Sequence, residues 1–215
     1  MNAQSLIDTA GKLVAADKGL LAMDESNPTC NKRFAKLGIP QTEEARRAYR
    51  ELLITTPCLG ESISGVILCD ETIRQQKKDG TPFLKVITDA GIIPGIKVDT
   101  GAKEMAGHPG EKITEGLDRL RDRLKEYFQM GARFAKWRAV IAISDGIPSR
   151  SCLEANAHAL AIQLDEDVSQ GFLGDLQTSL QSMFTVHEDF GFNDGNKSHL
   201  LAQRGIARQC VRVGF

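Results

Sequence analysis

At 215 residues the chain is long enough for one ordinary domain and short for two. Its 41% apolar and 26% charged residues are the make-up of a folded globular protein, not of a disordered one. A formal net charge of -1 excludes bulk attraction to nucleic acid or anionic lipid, so affinity for any anion must come from a local basic cluster.

Residues 5–16 place Leu6, Ile7, Ala10, Leu13 and Val14 at helical spacing. This N-terminus lacks a basic segment followed by an apolar run and is poor in Arg, so it reads neither as a secretory signal nor as a mitochondrial transit peptide. A short apolar run, Gly19 to Met23, then stops at Asp24-Glu25-Ser26. Thr42 is a predicted N-cap for a helix to about Ile54, with Glu43 and Glu44 in its first turn. A second run, Gly65 to Cys69, ends at Asp70. Phe83, Val86, Ile87 and Ala90 predict a further helix that Gly91 terminates. A third run, Ile92 to Val98, ends at Asp99. Thr114 is a predicted cap for a helix with the stripe Leu117, Leu120, Leu124 and Phe128, ended by Gly131. Residues 133–143 form a fourth run, followed by a loop over 144–150 and an Ala-rich helix from Ser151.

Short apolar strands alternating with helices imply parallel pairing through right-handed crossovers. The pattern suits either a (β/α)8 barrel or a doubly wound sheet, and periodicity does not choose between them. After Ala161 the composition shifts toward Gln, Ser, Gly, Asp and Asn. Residues 182–186 and 210–215 are candidate short strands there, and residues 189–198 read as loop. No apolar stretch approaches the ~20 residues needed to cross a bilayer, so no membrane partner is expected. The five cysteines are scattered without a CxxC pair, and the four histidines show no ligand spacing with them. Free thiols in a reducing cytoplasm are expected, with no metal site and no disulfide framework.

In a parallel α/β protein, polar groups at the C-terminal ends of strands meet the ligand. Here those ends carry Asp24, Asp70, Lys97 with Asp99, and Lys136 with Arg138. Side chains alternate along a strand, so Lys97 and Asp99 share one face, as do Phe134, Lys136 and Arg138, while Ala135, Trp137 and Ala139 face helices. Inward-facing cations are costly unless each meets a partner or a ligand. Two readings remain open: a mixed-charge pocket for a phosphorylated substrate, with one carboxylate shuttling protons, or an internal ion-pair network and nothing more. Gly95-Ile96-Lys97 and Gly60-Glu61-Ser62 fit no nucleotide-binding fingerprint. Met23 and Met105 read as core filler, His158 as a helix-surface histidine, and residues 119–125 as a solvated helix face.

Three motifs carry a resemblance. Leu21-Ala22-Met23-Asp24-Glu25-Ser26, Gly95-Ile96-Lys97-Val98-Asp99 and Phe134-Ala135-Lys136-Trp137-Arg138, in this order and spacing, resemble class I, Schiff-base-forming fructose-bisphosphate aldolase. The likeness covers residues 5 to 161 and includes Asn31-Lys32-Arg33 and the segment Arg46 to Leu53. It implies an α/β fold, an incomplete (β/α)8 TIM barrel made of the first four β/α units, with residues 162–215 as a divergent tail. It implies cleavage of fructose 1,6-bisphosphate to glycerone phosphate and glyceraldehyde 3-phosphate, without a metal or other cofactor. By the same resemblance, Asp24 assists proton transfer near the Schiff base and Lys136 stands beside the covalent intermediate. Lys97, Arg138, Ser26 and Arg33 match substrate-binding positions.

The family's proton-relay glutamate, imine-forming lysine and remaining phosphate ligands lie on later strands, and residues after 161 match none of them. Lys197, the only lysine in that tail, stands in an unrelated context. A barrel of this kind takes about 250 residues, so the chain is expected to be truncated, from a frameshift, aberrant joint or alternative splice, and inactive alone. The alternative role is a non-catalytic sugar-phosphate-binding or assembly module. Open barrel edges would favour a homo-oligomer, and the expected location is cytoplasmic.

Overall fold

The computed structural model describes residues 3–15 and 17–174. The expected tail elements at 182–186, 189–198 and 210–215, and Lys197, lie outside the described residues.

A five-stranded parallel sheet organises the molecule. Its strands are β1 (Gly19–Ala22), β2 (Ile63–Leu68), β3 (Ile93–Lys97), β6 (Phe134–Lys136) and β7 (Leu173–Gly174), in that spatial order. Each joins its neighbour in parallel. The helices are α1 (Ala3–Leu13), α2 (Asn27–Lys36), α3 (Glu43–Ile54), α4 (Leu59–Ser62), α5 (Asp70–Ile73), α6 (Phe83–Asp89), α7 (Leu120–Met130) and α8 (Arg150–Gln170). Two further strands, β4 (Gly101–Glu104) and β5 (Lys112–Glu115), form an antiparallel hairpin between β3 and α7.

Alternation along the strands sorts side chains into two cores. Val66, Leu68, Ile96, Val98, Ala135, Trp137 and Ala139 point outward and pack with Leu120, Leu124, Tyr127, Ala159 and Leu160 of the helical layer. The opposite residues, Ile67 and Phe134, form a small inner core with Leu13 and Ile93. Gly65 and Gly95 make that inner core possible. A methyl group on Gly95 would lie 2.3 Å from the Phe134 ring, and one on Gly65 would lie 2.5 Å from Leu13. Ser64, near the start of β2, donates its hydroxyl to the Leu13 carbonyl at 2.7 Å. The end of α1 is thereby tied to the N-terminal side of the sheet, and the C-terminal strand ends are left for polar groups.

Local chemistry explains most boundaries. Thr42 caps α3 as expected, its hydroxyl accepting from the Ala45 N–H at 3.2 Å. Gly91, at φ +72, follows the end of α6. Three expectations need correction, and one helix was not expected. Thr114 does not cap a helix: Ile113 and Thr114 are β-branched and lie in β5, and α7 begins only at Leu120, so Leu117 precedes the helix. Helix α2 was not apparent because only Cys30 and Phe34 form its buried face, yet Pro28 in its first turn is a start signal. The fourth run is regular only over Phe134–Lys136; Trp137, Ala139 and Ile141 stay buried in irregular chain. Finally, α8 starts at Arg150, capped by the Ser149 hydroxyl at 3.1 Å, and continues unbroken through Ala161 to Gln170. Phe172 then enters the outer core and β7 adds a fifth strand beside β6, one more than the four expected.

Candidate functional site

The register of β3 and β6 pairs Gly95 with Phe134 and Lys97 with Lys136. Both lysines therefore stand one step above the inner core, at the C-terminal strand ends. Asp24 arrives from the end of β1. Its carboxylate accepts a hydrogen bond from Lys136 Nζ at 2.8 Å, joining side chains 112 positions apart in the chain. Lys97 Nζ lies 3.3 Å from Asp99 Oδ1. Two cations and two anions thus share the inner face: alternation placed Lys97, Asp99 and Lys136 there, while Arg138, expected beside Lys136 on that face, is exposed.

These groups are largely withdrawn from water. The Asp99 side chain is 2% exposed, Asp24 11%, Lys136 16% and Lys97 21%. Burial pushes the Asp99 carboxyl above its ordinary value, although the Lys97 ammonium and the Arg138 N–H pull the other way. That backbone N–H donates to Asp99 Oδ2 at 3.2 Å, while the Arg138 carbonyl accepts from the Thr114 hydroxyl at 2.8 Å. The hairpin thereby fixes the backbone of Arg138, whose residue as a whole is exposed at the rim. A cluster with lysine nitrogens held by carboxylates at a strand-end rim can accept an anionic, oxygen-rich ligand by partner exchange.

Ser26 and Arg33 also lie on this side, at the start and within α2. Ser26 is exposed, and its hydroxyl shares a hydrogen bond with Thr29 at 3.0 Å. Arg33 is 61% exposed and pairs with Glu25. Asp70 is not brought into the site. It opens α5 and pairs with Arg74 and with the Tyr127 hydroxyl at 2.9 Å, in the helical layer. Residues 119–125 are not wholly a solvated face either, since Arg123 donates to the carbonyls of Val98 and Gly116. Among the described residues no three His, Cys, Asp or Glu side chains gather as a metal site. No helix there is long and apolar enough to cross a membrane.

The same groups fall within a known family. A family model described as fructose-bisphosphate aldolase class-I matches residues 5–164. The chain belongs to the class I fructose-bisphosphate aldolase family. It is 63% identical over 161 residues to the "Probable fructose-bisphosphate aldolase class 1" of Xanthomonas campestris, covering 75% of this chain and 48% of that protein. It is 50% identical to "Fructose-bisphosphate aldolase 6, cytosolic" of Arabidopsis thaliana, covering 74% of this chain and 44% of that one. The solved aldolase of Plasmodium falciparum, in complex with TRAP and a small-molecule inhibitor, superimposes with a TM-score of 0.78 at 42% identity. That match covers 80% of this chain and 50% of the other. The chain spans about half the length of the curated relatives it matches.

Within this aldolase-family chain, sequence reasoning missed two buried residues behind the site. Arg50 of α3 donates to Glu25 Oε2 at 2.5 Å and to the Glu25 carbonyl at 3.0 Å. Arg46, one turn earlier, forms a fork on Glu71 with both distances at 2.7 Å and reaches Asn31 at 2.9 Å. A signal was present: Arg46, Arg50 and Ile54 recur every four residues, placing two arginines on the core face of α3.

Proposed function

We propose that this chain carries the first half of a class I aldolase substrate site, which binds fructose 1,6-bisphosphate and does not cleave it unaided. The Lys136–Asp24 pair at 2.8 Å carries the reading, because it joins an amine and a proton-transfer group at parallel strand ends. In this reading Asp24 and Lys136 exchange protons with the substrate's reacting oxygens, while Lys97, Arg138, Ser26 and Arg33 engage its charged and hydroxyl groups. Cleavage by this route needs an amine that attacks the ketone carbon, loses water and leaves a protonated imine as electron sink. The resemblance assigns that amine to a lysine on a later strand, for which these 215 residues offer no counterpart.

Supporting the incomplete-barrel reading, β1 is an edge of the sheet among the described residues, and Leu20 on its inner side is 44% exposed. Pairing of such edges between two copies is the proposed route to a homo-oligomer. The proposed division at residue 161 lies close to the end of the family match at residue 164, and residues 162–215 are proposed as a divergent tail whose start is carried on α8. A cytoplasmic location is supported by free thiols at Cys30, Cys58, Cys69 and Cys152 and by the cytosolic Arabidopsis relative.

Isothermal calorimetry with fructose 1,6-bisphosphate, beside a coupled turnover assay, tests the proposal. The expected result is binding that Lys136→Met abolishes, no turnover, and no adduct after borohydride with substrate. Turnover at the rate of an intact aldolase, or no binding at all, would sink it.

A further inference from the structure

We infer that Arg50, acting through Glu25, is the positioning residue that holds Asp24 against Lys136. The last sheet contact before Asp24 is the Met23 N–H donating to the Ile67 carbonyl at 3.1 Å, and α2 begins at Asn27. Asp24, Glu25 and Ser26 are therefore a short link, and its course decides where the Asp24 carboxylate points. The demand on it is strict. In the sheet β6 stands three places along from β1, with β2 and β3 between them, so Asp24 must reach across the inner face to meet Lys136.

Arg50 supplies the constraint. Its guanidinium grips the side chain and the main chain of Glu25 together, the carboxylate at 2.5 Å and the carbonyl at 3.0 Å, and also donates to Cys30 Sγ at 3.3 Å. One rigid planar fork thus fixes the residue next to Asp24 both in place and in direction. Glu25 has a second partner in Arg33, but that side chain is 61% exposed and its pair is screened. The Arg50 side chain is 2% exposed. A buried guanidinium is costly, and an apolar side chain would fill the same space on α3 beside Ile54 at less cost. The charge is accounted for by the grip on Glu25.

The catalytic meaning of this clamp rests on the proposed function, so its test reads the Asp24–Lys136 pair and not turnover. The full 215-residue chain and its Arg50→Met, Arg50→Lys and Asp24→Asn variants are reductively methylated with formaldehyde and cyanoborohydride, and each lysine is followed by peptide mass spectrometry. In Asp24→Asn and Arg50→Met, Lys136 should react about fivefold faster than in the parent, while Lys97, held by Asp99, keeps its rate. Arg50→Lys, which keeps the charge and loses the fork, should fall between. Adding Asp24→Asn to Arg50→Met should give no further gain. An unchanged Lys136 rate in the Arg50 variants would overturn the inference. So would Lys97 and Lys136 accelerating together, since that reports a loosened fold. Protection of Lys136 by fructose 1,6-bisphosphate in the parent is measured alongside; its absence counts against the substrate site and leaves the clamp result standing.

Discussion

Glu25 and Asp99 flank the same site, and their carboxyls shift in opposite directions. Burial raises both carboxyls, but at Glu25 the Arg50 hydrogen bond, the residue's own backbone N–H and the charges of Arg50 and Arg33 outweigh it, holding the group below its ordinary 4.5. At Asp99 burial prevails over Lys97 and the Arg138 N–H. The signs follow by linkage. Glu25 contributes stability that is present above pH 4.5 and is lost as pH falls through its depressed folded value. Asp99 contributes stability only at low pH, lost as pH rises through its raised value. Urea unfolding at several pH values checks the first. Glu25→Gln should be less stable than the parent at pH 7, and the difference should shrink steadily below pH 4.5. A difference that stays constant with pH would contradict the pairing. None of this was legible in the sequence, because Glu25 and Arg50 are 25 positions apart and only the docking of α3 brings them together.

Among the elements, β3 and β6 were the most readable. Their alternation placed Lys97, Lys136 and the outward Ala135 correctly, since a strand has one geometric period; Asp99, Trp137 and Ala139 keep the expected side just past the strand ends, while Arg138 is exposed. The hairpin β4–β5 was not readable. Thr114 before an apolar helical stripe looks the same as a cap, and pairing with Gly101–Glu104 is a non-local contact that overrides the local signal. The fit of β3 to β6 gives a direct test. Phe134 is 1% exposed and lies against Gly95, so Gly95→Ala should force a shift in the inner core and cost about 2 kcal/mol by urea unfolding. A change within ~0.5 kcal/mol, the range of ordinary surface substitutions, would show that the ring relaxes freely.

On the scale of the whole molecule, the proposed self-association runs through β1. Among the described residues the parallel sheet ends here in a four-residue strand, with Leu20 half-exposed on the inner side. Sedimentation velocity over a range of concentrations should show reversible self-association that Leu20→Lys weakens. A chain that stays monomeric throughout would remove the edge-pairing proposal without touching the site, whose described parts lie within one copy.

The sequence by itself determined the family, the parallel α/β pattern and the face on which the charged strand-end residues sit. Those follow from motif order and from alternation, which are local properties of the chain. Only the tertiary structure decided that Lys136 pairs with Asp24 and not with Asp99, that Asp70 turns to the helical layer, and that Arg50 grips the link beside Asp24. Partner choice among buried charges depends on strand register and helix docking over long separations, and no periodicity in the chain encodes those distances.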